Sequence, residues 1–154
     1  MNFFNFRQVK ERLIATKREL LVLLGNQAQN YFYSSFRKQA FNGQPWKEVQ
    51  RRIEGTPAYK YPKTKGLQRR TSPILVGAGY KVRGGKLRRA VSNMARTATF
   101  NVNGFRMIVD VDYAGYLNDG TPKMAARRFV GQTQELTEMQ RKKIIQTINN
   151  IWKP

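Results

Sequence analysis

The first forty residues constrain this chain more than any other part. Val9, Leu13, Leu20, Leu24, Ala28, Tyr31, Phe32, Ser35 and Phe36 recur near 3.6-residue spacing, while Arg7, Lys10, Arg12, Lys17, Arg18 and Glu19 take much of the remaining circumference. The spacing predicts one helix over residues 6–41. Gly25 marks a bend or a close contact within it, and Asn42-Gly43 stops it, because glycine takes the left-handed conformation without strain. Such a helix is roughly 50 Å long at 1.5 Å per residue. A chain of 154 residues makes one domain with one core, and that body cannot cover the whole helix. One part should pack at home, and another should project or meet a neighbouring subunit.

The rest divides into shorter pieces. Residues 45–72 are broken by Pro45, Gly55, Pro57, Pro62 and Gly66 and carry many bases, so an extended basic arm or loop is expected, with one helical turn near residues 47–53. Loops of that length are usually functional or disordered, and a second molecule would order this one. Residues 73–131 form a sheet region. Residues 73–79 read as a short strand or the approach to a turn, and residues 86–94 carry helical spacing, though Leu87 and Val91 also fit a bulged strand. Two alternating runs, 97–102 and 105–111, flank Asn103-Gly104, the preferred pair for a type I′ turn. Phe100, Val102, Phe105, Met107, Val109 and Val111 are the expected buried face of that hairpin. A short helix over 112–118, an edge strand over 126–131 and a closing helix over 133–152, capped by Thr133, complete the chain. The expected fold is α+β, with helices packed on one face of a small antiparallel sheet.

Charge narrows the partners. Twenty-nine Lys and Arg against nine Asp and Glu give a formal charge of +20. Self-repulsion of that size does nothing for folding and implies a polyanion or an acidic protein surface. An anionic membrane is the third candidate, but no apolar run approaches a membrane span. The N-terminal residues 1–6 lack the apolar region of a signal peptide, so a soluble protein made in a cytoplasm is expected. The absence of cysteine removes disulfides and thiolate metal sites. The absence of histidine removes the commonest general base and metal ligand. Both point away from an enzyme and from any cofactor or bound metal. The two exceptions to weigh are Asp110 and Asp112, a carboxylate pair that suits Mg²⁺ or acid–base chemistry but more simply pairs with local arginines. Gly77-Ala78-Gly79 and Gly84-Gly85 do not make a phosphate-binding fingerprint and read as turns.

Four features in order carry a resemblance: Asn42-Gly43-Gln44-Pro45-Trp46 after the long helix, Gly85-Lys86-Leu87-Arg88-Arg89-Ala90-Val91, Tyr113-Ala114 followed by Asp119-Gly120-Thr121, and Ala126-Arg127-Arg128-Phe129-Val130-Gly131 leading into the last helix. Together they resemble the virion-morphogenesis, or tail-completion, family of tailed bacteriophages, which includes tail terminators and neck proteins. The resemblance spans roughly residues 6–152. It departs from the family at Arg128, where proline is usual, and at residues 77–84, which stand as an insertion. It implies a non-enzymatic homo-oligomeric ring, hexameric or of portal-related symmetry, in the neck or tail of a virion. Such a ring is assembled in the host cytoplasm between portal or connector and tail, with double-stranded DNA in passage. The alternative from composition is a stand-alone, sequence-independent nucleic-acid-binding protein; a phage nuclease is the third class.

Lys60, Lys63, Lys65, Arg69, Arg70, Lys81, Arg83, Lys86, Arg88 and Arg89 are the candidates to face DNA or an acidic neighbour, since only Glu54 interrupts the bases between Arg51 and Arg89. The plainer alternative is a solvated loop. Trp46, Tyr59, Tyr61, Leu87, Tyr113, Gly120, Arg127 and Phe129 are the structural and interface candidates. Tyr59 and Tyr61 would stack bases or, better suited to a half-dry contact, anchor the arm on a neighbour. Trp46 reads as a packing plug and Phe129 as buried against the last helix. Gly120 supplies a backbone shape closed to other residues, and Arg127 makes a bridge between subunits or a surface ion pair.

Overall fold

The computed structural model of the chain describes residues 6–61, 69–75, 85–101 and 104–151, and its class is α+β. Helix α1 runs Phe6–Lys38. It ends three residues short of the expected residue 41, ahead of the Asn-Gly pair predicted to stop it, because Gln39 already takes a left-handed backbone (φ 50°). Asn42 and Gly43, at φ 50° and 75°, instead form the two-residue turn between β1 (Ala40–Phe41) and β2 (Gln44–Pro45). Positive φ at both turn positions is the type I′ geometry whose twist matches a tight hairpin, and Phe41 pairs with Gln44 across it.

That turn drives Trp46 into the core. Its ring lies edge-on to Phe36 at 5.5 Å, and Phe36 lies against Phe129 at 5.5 Å. The indole N–H donates to the Arg128 carbonyl. Around these rings gather Ala28, Tyr31 and Phe32 of α1, Leu87, Val91 and Met94 from α3 (Lys86–Asn93) and just beyond it, and Leu136 of α5 (Gln134–Ile151). The core is therefore helix on helix, with α1 against both α3 and α5. The strands do not gather into the one sheet expected; they form two separate two-stranded ribbons.

Only the second half of α1 is covered. Its buried residues begin at Leu24, whereas Leu13 and Ile14 are 45% and 62% exposed. The division between a packed and a projecting part follows from length alone.

The second ribbon, β3 (Thr99–Asn101) and β4 (Gly104–Arg106), lies where alternation places it but in a different register. An Asn103-Gly104 turn would set Phe100 opposite Met107; the observed pairing sets Phe100 opposite Phe105 and Asn101 opposite Gly104. The slide keeps each side chain on its face and brings the two aromatic rings to 6.1 Å, a cross-strand pairing that stabilises short ribbons. Gly25 gives this ribbon its seat: a Cβ there would stand 3.6 Å from the Phe100 ring and 3.8 Å from Phe105. Of the expected buried face, Val111 is buried, Phe105, Met107 and Val109 are half-buried, Phe100 is exposed, and Val102 lies outside the described residues. The strand stops at Arg106, short of the expected 111, and the Val111 N–H closes a tight turn on the Val109 carbonyl at 2.8 Å.

Residues 126–131 form no strand ladder; they are held by side chains. Asn118, in α4 (Ala114–Asp119), accepts the Phe129 and Val130 N–H groups on its Oδ1. Gly120 makes this close approach feasible, with φ 80° and a site where a Cβ would fall 2.7 Å from the Ala126 nitrogen. Thr133 caps α5 as expected, its Oγ1 accepting the Leu136 N–H at 3.1 Å. Ile74 is buried, and its N–H donates to Gln39 Oε1, but residues 76–84 lie outside the described set.

Two glycines separate backbone need from mere presence. Gly120→Ala should lower unfolding stability by about 2 kcal/mol or more, since it adds both a clash and a disfavoured φ. Gly115→Ala, in the first turn of α4 with open space at its Cβ, should raise it by about 0.4–1 kcal/mol, chiefly by restricting the unfolded chain. Chemical denaturation of both variants checks the pair.

Candidate interaction surfaces

The basic arm holds more structure of its own than its prolines and glycines predict. A 3-10 turn spans Gln50–Arg52, and a short helix, α2, spans Pro57–Lys60, with Pro57 at its first position and Thr56 Oγ1 accepting the Tyr59 N–H. Arg51 then staples the two sides of the arm together. Its guanidinium donates to the carbonyls of Arg69 (3.0 Å), Ser72 (2.8 Å) and Pro73 (2.6 Å), and Arg52 adds a second bond to Ser72 at 2.9 Å. A planar fork with five donors suits such a cluster of carbonyls. Burial, and after it the neighbouring Arg52, pull the Arg51 pKa below the ordinary arginine value.

Sequence reasoning counted these cations as available to a partner; the fold uses some of them internally. Arg70 lies over the Tyr59 ring at 3.9 Å and donates to the Tyr59 carbonyl at 2.6 Å. Tyr59 thus stacks on a guanidinium of its own arm. Lys60, Arg69 and Tyr61 are exposed, Tyr61 to 83%. Lys63, Lys65, Lys81 and Arg83 lie outside the described residues.

Helix α3 sorts its residues by face. Leu87 and Val91 are buried to 2% and 0% exposure. Arg88 turns back onto α1, where it covers the Tyr33 ring at 5.0 Å and donates to its hydroxyl at 2.7 Å. Lys86 and Arg89 are exposed. The basic run therefore presents an outer rim of cations over an apolar inner face.

The region from Tyr113 to Phe129 is architectural. Phe129 is fully buried. Within the chain the Arg127 guanidinium donates to the carbonyls of Lys47 (2.9 Å) and Glu48 (3.3 Å). This ties the foot of the arm to the approach to α5, and burial lowers the Arg127 pKa. Tyr113 is half-buried, and burial raises its phenol pKa while nearby Arg89 opposes the rise. Asp110 and Asp112 are both exposed, and no group of three or more possible metal ligands gathers among the described residues. No described helix is long and apolar enough to cross a membrane.

Several connecting residues left no mark in the sequence. Asn118, Gln39 and Gln29 each accept a backbone N–H from a distant segment, Gln29 from Ala95 at 2.7 Å. Their partners are fixed by tertiary approach, so no local pattern announces them. Tyr31 is similar. It accepts from the Thr133 hydroxyl and donates to Glu135, both at 3.0 Å, joining α1 to the capped start of α5.

Several grooves border these elements. One of about 800 Å³ lies between the outer part of α1, at Ile14, Leu21 and Val22, and Phe100 and Asn101 of β3. Another, about 640 Å³, lies between residues 105–109, α4 and α5, with Leu24, Ala28 and Phe32 among the residues that line it. A third, about 560 Å³, runs between α1 and α5 past Asn30, Tyr31 and Glu135.

Arg51→Lys should leave the fold intact but release the far side of the arm, because an ammonium cannot satisfy carbonyls in fork geometry. Limited trypsin digestion should then cut after Arg69 and Arg70 several-fold faster. Tyr31 and Tyr113 set an alkaline limit. Burial is the largest cause raising both phenols above the ordinary value of 10.0, so the unfolded chain loses these protons first. Their contribution is complete below about pH 10 and falls as pH rises through the folded pKa values. Tyr31→Phe with Tyr113→Phe should flatten the fall in thermal midpoint between pH 9 and 11. No family model matches the chain, and no curated protein or solved structure matches it.

Proposed function

We propose that the chain is a structural subunit of a ring at the head–tail junction or tail end of a tailed phage, joining portal or connector to tail along the DNA path. One observation carries this: α1 carries apolar side chains along its length, yet its fully buried positions begin only at Leu24, and Leu13 and Ile14 ahead of it stand 45% and 62% exposed. An apolar helix face left bare marks an interaction surface. A surface displaced from the body by a projecting helix favours contact with a different patch on the next copy. Head-to-tail contacts of that kind close into rings when the rotation permits.

The order of the four sequence features and the charge of +20 support the same proposal. In a ring, the outward cations of α3 and the arm are repeated about an axis. Duplex DNA passing there would exchange its counterions for Lys and Arg without reading sequence. Durable joining needs no single strong contact, because neighbouring contacts act together once one is made.

Light scattering on the purified chain should give a discrete multiple of the monomer mass, and DNA binding should be strongest in the assembled fraction. A chain that stays monomeric at high concentration, yet binds DNA tightly with a steep salt dependence, would instead fit a stand-alone nucleic-acid-binding protein. In a phage carrying the gene, its deletion should give filled heads without joined tails; normal infectious particles would overturn the proposal.

A further inference from the structure

The geometry points to one specific contact in such an assembly: the outer half of α1 from one copy seats against the groove between β4, α4 and α5 of the next. This rests on the ring proposal and adds the two surfaces that would make it. Residues seven apart on a helix drift only about 20°, so Lys10, Lys17, Leu24 and Tyr31 lie along one face. Leu24 and Tyr31 are buried in the home core. Lys10 and Lys17 continue the same face beyond the body and are exposed, flanked by Leu13, Ile14, Leu20 and Leu21. Whatever covers this face must supply apolar surface together with carboxylates.

In a chain of +20, carboxylates are scarce. Residues 107–120 are the richest exception, with Asp110, Asp112 and Asp119 and no Lys or Arg; residues 129–140 follow with Glu135 and Glu138. All three aspartates are exposed. Their segment walls the 640 Å³ groove, where Ile108 is 54% exposed beside Met107 and Val109. Arg106 and Asp119 are the charged lining residues, so the interior is close to neutral and mostly apolar, while Asp110 and Asp112, exposed and next in sequence to the lining residue Val109, make the segment itself acidic. The outer half of α1, residues 6–23, carries five bases and two acids. The two surfaces therefore match in apolar character and oppose in sign, and complementary charge fixes partner and register. A second copy is the occupant, because each copy carries one surface of each kind.

Charge exchange tests the contact. Lys10→Glu with Lys17→Glu in one chain, and Asp110→Lys with Asp119→Lys in another, should each weaken self-association by at least about tenfold, with unchanged circular dichroism. Mixed in equal amounts, the two variants should recover the assembly mass, as should a single chain carrying all four changes. A wild-type assembly with no recovery in the mixture overturns this contact and leaves the ring standing. A wild-type chain that is monomeric overturns both. Should a reversed chain fail to fold, the absence of native cysteine allows a second measurement: Lys17→Cys chains mixed with Asp119→Cys chains under mild oxidant should form the mixed disulfide in preference to either self-pair. Equal yields of all pairs overturn the contact.

Discussion

The packing of Phe36 between Trp46 and Phe129 is the contact on which the rest of the fold depends. It joins three parts of the chain that are far apart in sequence: the end of α1, the foot of the arm and the approach to α5. Aromatic side chains bury large areas, and their edge-on pairing adds direction to that burial. The indole N–H supplies a further constraint by bonding to the Arg128 carbonyl, so residues 126–131 stay fixed without a strand partner. Arg127, one residue earlier in the chain, points the other way and holds the carbonyls of Lys47 and Glu48. Consecutive residues thus clamp the arm's foot from both sides.

The arm follows the same logic in polar form. A chain with few carboxylates cannot satisfy all its guanidinium groups with ion pairs such as those of Arg7 with Glu11 and Arg52 with Glu48. Backbone carbonyls take their place. Arg51, Arg52, Arg70 and Arg127 all donate to main-chain oxygens. Such bonds keep the positive charge while giving each cation a fixed position. The result is a division among the cations: some arginines are tied into the fold, and others, such as Arg69 and Arg89, lie exposed with Lys60 and Lys86.

The projecting half of α1 is the complementary case, where the chain makes a surface that it does not use at home. A helix earns stability in water mainly by burying its apolar side, and eighteen residues of α1 lie ahead of its first buried position at Leu24. The proposed seat beside Asp110, Asp112 and Asp119 would resolve that imbalance and the uneven spread of acids with one contact.

Local periodicity by itself determined the helices. α1, α3, α4 and α5 fall where 3.6-residue spacing, the Thr133 cap and the glycine breaks put them, because those signals act over one or two turns. It also determined that α1 outruns its body, the burial of Trp46 and Phe129, and the special backbone at Gly120. Tertiary structure decided the rest. Gln39 ended α1 before Asn42-Gly43 could, which turned a helix stop into a hairpin. Contact between Phe100 and Phe105 over Gly25 chose the ribbon's register over the one favoured by an Asn-Gly turn. Asn118 held residues 126–131 where alternation implied a strand, and Arg70 settled on Tyr59 although composition had offered it to a partner. Each of these outcomes depends on which distant group comes within hydrogen-bond or van der Waals reach, and that distance is set by packing.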